Sequence, residues 1–178
     1  MKVLAVSGSL RADSYNTRLL EAAAAAAPAG VEVEILDPAL IADLPLYDQD
    51  LEEDAPASVD ALREAWAGAD AILFATPEYN GSVPGGLKNA IDWASRPKFA
   101  AALTNKTVSV IGASTGQFGA MWAQQDLRKI LGIAGARVVG DGLPVSRAHD
   151  GFPDLVHEQL RAVLQTLAEA VQPDQVAA

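Results

Sequence analysis

Cysteine is absent from the 178 residues of this chain, which removes disulfides, thiolate metal sites, cysteine nucleophiles and cysteine-ligated iron–sulfur clusters together. Any redox chemistry therefore needs an organic cofactor. Histidine is nearly as scarce. His149 and His157 stand too far apart for a recognisable metal motif, and no H-E-x-x-H or carboxylate–histidine spacing occurs, so no metal centre is expected. Positive charge is in short supply as well, with 13 Lys and Arg against 23 Asp and Glu, a net charge of -10 and a pI near 4.5. That balance opposes a grip on nucleic-acid phosphates and adsorption to an anionic membrane, so no nucleic-acid partner is expected. Long hydrophobic runs are missing too. The first apolar run, residues 3–6, is too short for a signal-peptide core, and none is long enough to span a bilayer. No membrane insertion and a cytoplasmic location are the resulting expectations.

What is present suits a folded core. Half of the residues are apolar and 20% are charged, and the length suits one domain, residues 1–172, with a frayed tail over 173–178. Apolar, β-branched runs at 2–7, 31–36, 71–76, 107–113 and 137–139 read as strands. They are continuous rather than alternating, as in parallel strands buried on both faces. Helical segments fall between and after them, at 17–27, 58–67, 84–95, 117–131 and 154–171, several stopped by glycine or proline. Regular β-α alternation predicts an α/β three-layer sandwich around a five-stranded parallel sheet of order 2-1-3-4-5. In that order a crevice opens at the carboxyl ends of strands 1 and 3. The irregular stretch 37–57 is read as a solvated connector without function.

The first loop at that crevice is Gly8-Ser9-Leu10-Arg11-Ala12-Asp13-Ser14-Tyr15-Asn16-Thr17. Hydroxyls at Ser9, Ser14 and Thr17, the Asn16 amide and the Arg11 guanidinium fall within one turn that enters a helix. Free backbone N–H groups and the positive end of the helix dipole make an anion site there, which an acidic protein can hold without net positive charge. Arg11 adds charge-assisted hydrogen bonds to a phosphate, and Asp13 is expected to face solvent. The structural alternative is that Ser14 or Asn16 only caps the helix and Arg11 is a surface residue. The loop lacks the G-K-[ST] ending of a P-loop and the G-x-G-x-x-G spacing of a dinucleotide fold. A cysteine-dependent phosphatase is excluded. A receiver domain is disfavoured, because strands 1 and 3 end in Ser7-Gly8 and Thr76-Pro77 rather than in acidic groups.

The second crevice loop reads Pro77-Glu78-Tyr79-Asn80-Gly81-Ser82-Val83-Pro84 and continues Gly-Gly-Leu-Lys-Asn-Ala-Ile-Asp-Trp to Trp93. Together with GSLRADSYN, this PEYNGSVPGGLKNAIDW segment resembles the NADPH-dependent FMN reductase family, which includes flavin, quinone and chromate reductases of flavodoxin-like fold. The resemblance spans most of the chain. It implies that Ser9, Arg11, Ser14, Asn16 and Thr17 form the FMN-phosphate loop. Pro77, Glu78, Tyr79, Asn80 and Gly81 would line the isoalloxazine ring, and Ser114, Thr115, Gly116 and Gln117 would form a third flavin loop. That third loop departs from the family pattern, with Ala120 after Gly119 where relatives often carry a second glycine. On the residues themselves, Gly81 permits close backbone approach to a flat ring and Tyr79 offers an aromatic face. An ordinary turn at Asn80-Gly81 and an ordinary core Tyr79 are the alternatives.

The resemblance further implies an enzyme in which NAD(P)H, either NADPH or NADH, gives a hydride to bound FMN and a small-molecule acceptor such as a quinone or free flavin then takes the electrons. It also implies a homodimer or homotetramer built through the helix carrying Leu87, Ile91 and Trp93 and the helix after the third loop, so these side chains are either core or subunit interface. Residues 147–152 are a late loop that could approach the flavin of a neighbouring subunit. The rival reading is a non-enzymatic electron-transfer protein of the flavodoxin kind, whose acidic surface would dock a basic partner.

Overall fold

A computed structural model describes residues 1–98 and 100–171; the tail expected over 173–178 lies outside the described residues. Strand β1 (Lys2–Ser7) leads into α1 (Tyr15–Ala25), followed by β2 (Glu32–Ile35) and the single-turn α2 (Ala39–Ala42). Next come α3 (Ala57–Ala67), β3 (Ala71–Ala75), α4 (Gly85–Ala94), β4 (Thr107–Ala113) and α5 (Met121–Ile133). Two short strands, β5 (Arg137–Val138) and β6 (Leu143–Val145), precede α6 (Asp154–Ala170). Every strand pair is parallel and the order is β2-β1-β3-β4-β5, the predicted 2-1-3-4-5 order.

Both faces of the sheet are covered, which is why the central strands read as unbroken hydrophobic runs. Successive side chains alternate between faces. Leu4, Val6, Ile72, Phe74, Val108 and Val110 pack with Leu62 and Trp66 of α3, Leu87 and Ile91 of α4 and Leu127 of α5. Val3, Ala5, Leu73, Ala75 and Ile111 pack on the other face with Leu19, Leu20 and Ala23 of α1 and Leu160 and Leu164 of α6. Leu87, Ile91 and Trp93 are buried within the chain, so of the two readings offered for them, core is the one the fold adopts. Trp122 is different, at 43% exposed.

Three differences from the sequence reading have physical causes. The fifth strand position is shared by two segments, β5 pairing β4 at Thr107 and Val108 and β6 pairing it at Ile111 to Ala113. Between them Gly140 and Gly142 take φ of +71° and +91°, and the buried Gln124 fills the gap, its Oε1 accepting Leu143 N–H at 3.1 Å and its Nε2 donating to Gly119 O at 2.9 Å. Helix α5 begins at Met121 rather than 117, because Gly119 and Ala120 are left-handed at φ +58° and +60°. Connector 37–57 is fastened rather than loose. Asn89 and Trp93 of α4 donate to Pro45 O at 2.8 and 2.9 Å, and Asn89 Oδ1 accepts the Tyr47 N–H at 2.8 Å.

Candidate functional site

The ends of β1, β3 and β4 carry three loops that enclose a cleft of about 330 Å³. It lies at the reversal of strand order, where open α/β sheets bind ligands. Gly8 leaves β1 with its N–H on Ala75 O at 2.8 Å. A Cβ at that position would stand 2.8 Å from Leu87 Cδ2, so any larger residue would have to displace the Leu87 side chain of α4.

From the first loop, Ser9, Arg11, Ser14 and Asn16 line the cleft. Ser9 and Ser14 are buried, at 4% and 2% exposed. Ser9 Oγ accepts Arg11 N–H at 3.4 Å and Ser14 Oγ accepts Asn16 N–H at 3.1 Å, the latter capping α1. In the third loop Ser114 repeats the pattern, its Oγ accepting Gly116 N–H at 3.0 Å. Each of these hydroxyls accepts from a backbone N–H two residues on, and among the described residues none has an acceptor for its own hydrogen. The result is a row of hydroxyl donors facing one cavity, beside the N-terminus of α1. Arg11 is exposed and lies over the Tyr15 ring. Asp13 is exposed, as expected.

Two first-loop residues work for the fold. The Asn16 amide is committed to Ala113, with Oδ1 accepting the Ala113 N–H at 2.9 Å and Nδ2 donating to its carbonyl at 3.1 Å. Thr17 is outside the cleft lining, and its Oγ1 donates to Ser7 Oγ at 3.1 Å.

In the second loop, Pro77, Glu78 and Tyr79 line the cleft. The Glu78 carboxylate turns to α5, where Oε2 accepts the N–H groups of Trp122 and Ala123 at 3.0 and 3.2 Å. Helix α5 needs this, since Ala120 at its N-cap has no side chain able to cap it. Tyr79 and Ser82 exchange backbone hydrogen bonds at 3.0 and 3.1 Å around Asn80 and Gly81, with φ of +53° and +76°. Positive φ at both central residues marks a type I′ turn. A Cβ on Gly81 would meet nothing within 4 Å. Within the protein itself the glycine therefore answers the dihedral, and Asn80 and Gly81 are not among the residues that line the cleft. Tyr79 is not core; it is 51% exposed.

In the third loop Ser114 and Thr115 line the cleft, whereas Gly116 and Gln117 are exposed and outside it. The late loop braces this segment from behind, with Ala148 N–H on Ser114 O at 3.0 Å and Arg147 N–H on Gly116 O at 3.2 Å. Two lining residues escaped the sequence reading. Tyr15 sits inside the loop already singled out and carried a signal in its aromatic ring. Ala113, a small strand-end residue, carried none.

The cleft is built to bind rather than to react by itself. Among the described residues no His, Lys, Asp or Glu hydrogen-bonds Ser9, Ser14 or Ser114, so no base activates a serine nucleophile. Nor do three His, Asp or Glu side chains gather as a metal site among those residues. No helix among the described residues is long and apolar enough to cross a membrane. A larger cavity of about 520 Å³ lies between the C-terminal halves of α4 and α5, lined by Ile91, Ile130 and Ile133 among others. It contains none of the loop residues.

Comparison with known proteins agrees with this geometry. The sequence profile of the family described as NADPH-dependent FMN reductase matches residues 1–150. An NAD(P)H-dependent FMN reductase of Pseudomonas aeruginosa is 40% identical over 177 residues, covering 97% of this chain and 94% of its own. A quinone reductase of Escherichia coli K12 is 45% identical over 141 residues, 78% of this chain and 73% of its own. Among solved structures, the flavoenzyme NAD(P)H:acceptor oxidoreductase FerB of Paracoccus denitrificans superposes with a TM-score of 0.81 at 33% identity, covering 94% of this chain and 97% of that one.

Proposed function

Because the chain belongs to the NADPH-dependent FMN reductase family, we propose that the three-loop cleft holds FMN and that NAD(P)H and a quinone react there in turn. The protein is an FMN-dependent NAD(P)H oxidoreductase of flavodoxin-like fold. Its acceptor is a small molecule, and the Escherichia coli relative, a quinone reductase, favours a quinone.

The observation that carries the site assignment is the row of hydroxyls at Ser9, Ser14 and Ser114, each accepting a backbone N–H and each with its own hydrogen unclaimed. A phosphate offers only acceptors, so a set of donors beside a helix N-terminus and an arginine fits it. Ser9, Arg11 and Ser14 would hold the phosphate. Pro77 to Tyr79 and Ser114 to Thr115 would flank the ring, while Asn16, Thr17 and the Glu78 carboxylate fix the loops in position. When bound, FMN supplies the chemistry the side chains lack, accepting a hydride from NAD(P)H and returning electrons to the acceptor. The protein's share is to bind and orient, and to present N–H and O–H donors where negative charge accumulates.

The α4–α5 face, with its apolar cavity and the half-exposed Phe118 and Trp122, is where a second copy of the chain would pack, giving a homodimer or homotetramer.

The test is spectroscopic and kinetic. Purified protein should carry or take up FMN with a flavin absorbance spectrum, bleach anaerobically on addition of NADPH or NADH, and recover its colour with a quinone. Protein that stays colourless through an FMN titration and leaves both nicotinamides unoxidised in the presence of quinone would sink this reading.

A further inference from the structure

The turn over residues 79–82 has little of its own to rest on. Tyr79, Asn80 and Gly81 are exposed, and a Cβ on Gly81 would meet nothing within 4 Å. The paired backbone bonds between Tyr79 and Ser82 fix the shape of the turn but not where it points. Direction comes from α5. The Ser82 hydroxyl donates to Asp126 Oδ2 at 2.6 Å, the length expected of a hydroxyl on an ionised carboxylate. Asp126 lies one helical turn beyond Trp122 and Ala123, whose N–H groups the Glu78 carboxylate accepts. The loop is thus tied to neighbouring turns of α5 on both sides of Tyr79, with Glu78 reaching out from it and Asp126 reaching back.

The two ties do different work. Glu78 caps α5 and holds the start of the loop, so Pro77 and Glu78 stay in the cleft lining without further help. Asp126 stands too far along α5 to cap it. Among the described residues its carboxylate meets no cation within 4.0 Å, and Ser82 is its hydrogen-bond partner. What this second tie fixes is the segment beyond Glu78, and the residue of that segment that lines the cleft is Tyr79. Its half-exposed ring stands between cleft and solvent, where any molecule approaching the cleft must pass.

We propose that Asp126 is a positioning residue for Tyr79: through the Ser82 hydroxyl it holds the turn against α5, keeps the Tyr79 ring at the cleft mouth, and thereby sets how tightly the quinone acceptor binds, without touching quinone or flavin itself. This rests on the assignment of FMN to the cleft. It adds a residue outside the lining whose effect falls on the second substrate rather than on the cofactor.

Amide hydrogen exchange of the flavin-free protein reads the tie directly. Asp126→Ala should speed exchange at Tyr79 and Ser82, whose N–H groups close the turn, by about tenfold, while β3 and β4 exchange as in the wild type. In the FMN-loaded enzyme the same variant should raise the quinone KM about three- to tenfold, at or below the scale of one charge-assisted hydrogen bond, with kcat and FMN affinity within about twofold of the wild type. Asp126→Asn, whose amide oxygen still accepts the hydroxyl, should recover most of both effects. Tyr79→Leu should raise the quinone KM by itself, and adding Asp126→Ala to it should raise it no further. Unchanged exchange in Asp126→Ala, an asparagine variant no better than the alanine one, or KM effects that multiply in the Tyr79→Leu background each overturn the proposal. A wild-type protein that takes up no FMN overturns the cleft assignment instead, and the exchange measurement, which uses no flavin, still judges the tie between Ser82 and Asp126.

Discussion

Asn16 and Ala113 are joined twice, by a 2.9 Å bond from the Ala113 N–H to Oδ1 and a 3.1 Å bond from Nδ2 to the Ala113 carbonyl. The contact closes the head of α1 onto the end of β4, so the first and third loops are fastened together without help from a ligand. Asn16 is 2% exposed. Truncation to Asn16→Ala leaves a buried N–H and a buried carbonyl unpaired, and should lower stability by about 2–4 kcal/mol. Asn16→Asp should do no better, since it sets a carboxylate oxygen against the Ala113 carbonyl. Urea unfolding of the flavin-free protein measures both. A loss below about 1 kcal/mol in the alanine variant would mean that water replaces the pair.

Glu78 acts on the helix across the cleft in the same way. Its carboxylate holds the first N–H groups of α5, a role an amide oxygen can also fill. Glu78→Gln should therefore stay close to the wild type in stability, and Glu78→Ala should lose about 1 kcal/mol, the usual scale of an N-cap. Thermal unfolding decides this. If the glutamine variant is stable yet loses FMN as severely as the alanine variant, the side chain touches ligand and the capping account is incomplete.

Arg11 is the reverse case, because apart from the ring of Tyr15 no described side chain meets its guanidinium. Arg11→Ala should leave the unfolding transition where it is and weaken FMN binding by about 1.5–3 kcal/mol, the scale of a hydrogen bond to a charged group. Its exposure favours the lower end. Isothermal titration of the flavin-free protein measures the change, and unaltered affinity would remove Arg11 from the phosphate subsite.

These three residues show where sequence reasoning reached and where it stopped. The sheet order was legible because buried parallel strands leave unbroken hydrophobic runs, and the two crevice loops followed from that order. The division of labour inside the loops was not. Ser9 and Asn16 are both small polar residues in one turn, and only the register that sets β4 beside α1 determines that Asn16 faces a backbone and Ser9 a cavity. That the Glu78 carboxylate also caps α5 was hidden because its partners lie 44 and 45 positions away. The start of α5 was misjudged because Ala120, an excellent helix former, is held left-handed after Gly119. A Cβ on Gly119 would fall 2.6 Å from the backbone of Pro144 and Val145, a contact no local pattern reveals.

The connector over 37–57, to which composition assigned no role, yields a prediction in pH. The Tyr47 hydroxyl donates to Glu52, whose Oε1 also accepts from Arg96 Nε at 2.9 Å, and the Tyr47 ring meets Trp93 edge-on at 5.0 Å between centroids. The bond to Glu52 is the main cause that raises the Tyr47 pKa above its ordinary 10.0, with burial adding to it. Folding thus favours the protonated phenol, so the contribution is complete below about pH 10 and is lost as pH rises through the raised folded-state value. Tyr47→Phe keeps the ring on Trp93 and removes only the hydroxyl. The stability difference between wild type and variant should accordingly be flat from about pH 6 to pH 9 and should shrink above about pH 10; subtraction cancels groups that do not interact with Tyr47, such as Lys106, whose pKa burial lowers. A difference that persists undiminished at about pH 11 would show that the fold does not favour the protonated phenol and would overturn the role given to the Tyr47–Glu52 bond. The consequence reaches the cleft, because Trp93 and Asn89 that bind this connector lie on α4, the helix into which the PEYNGS loop runs. Loss of the Tyr47 clamp should therefore loosen that loop before it unfolds the sheet.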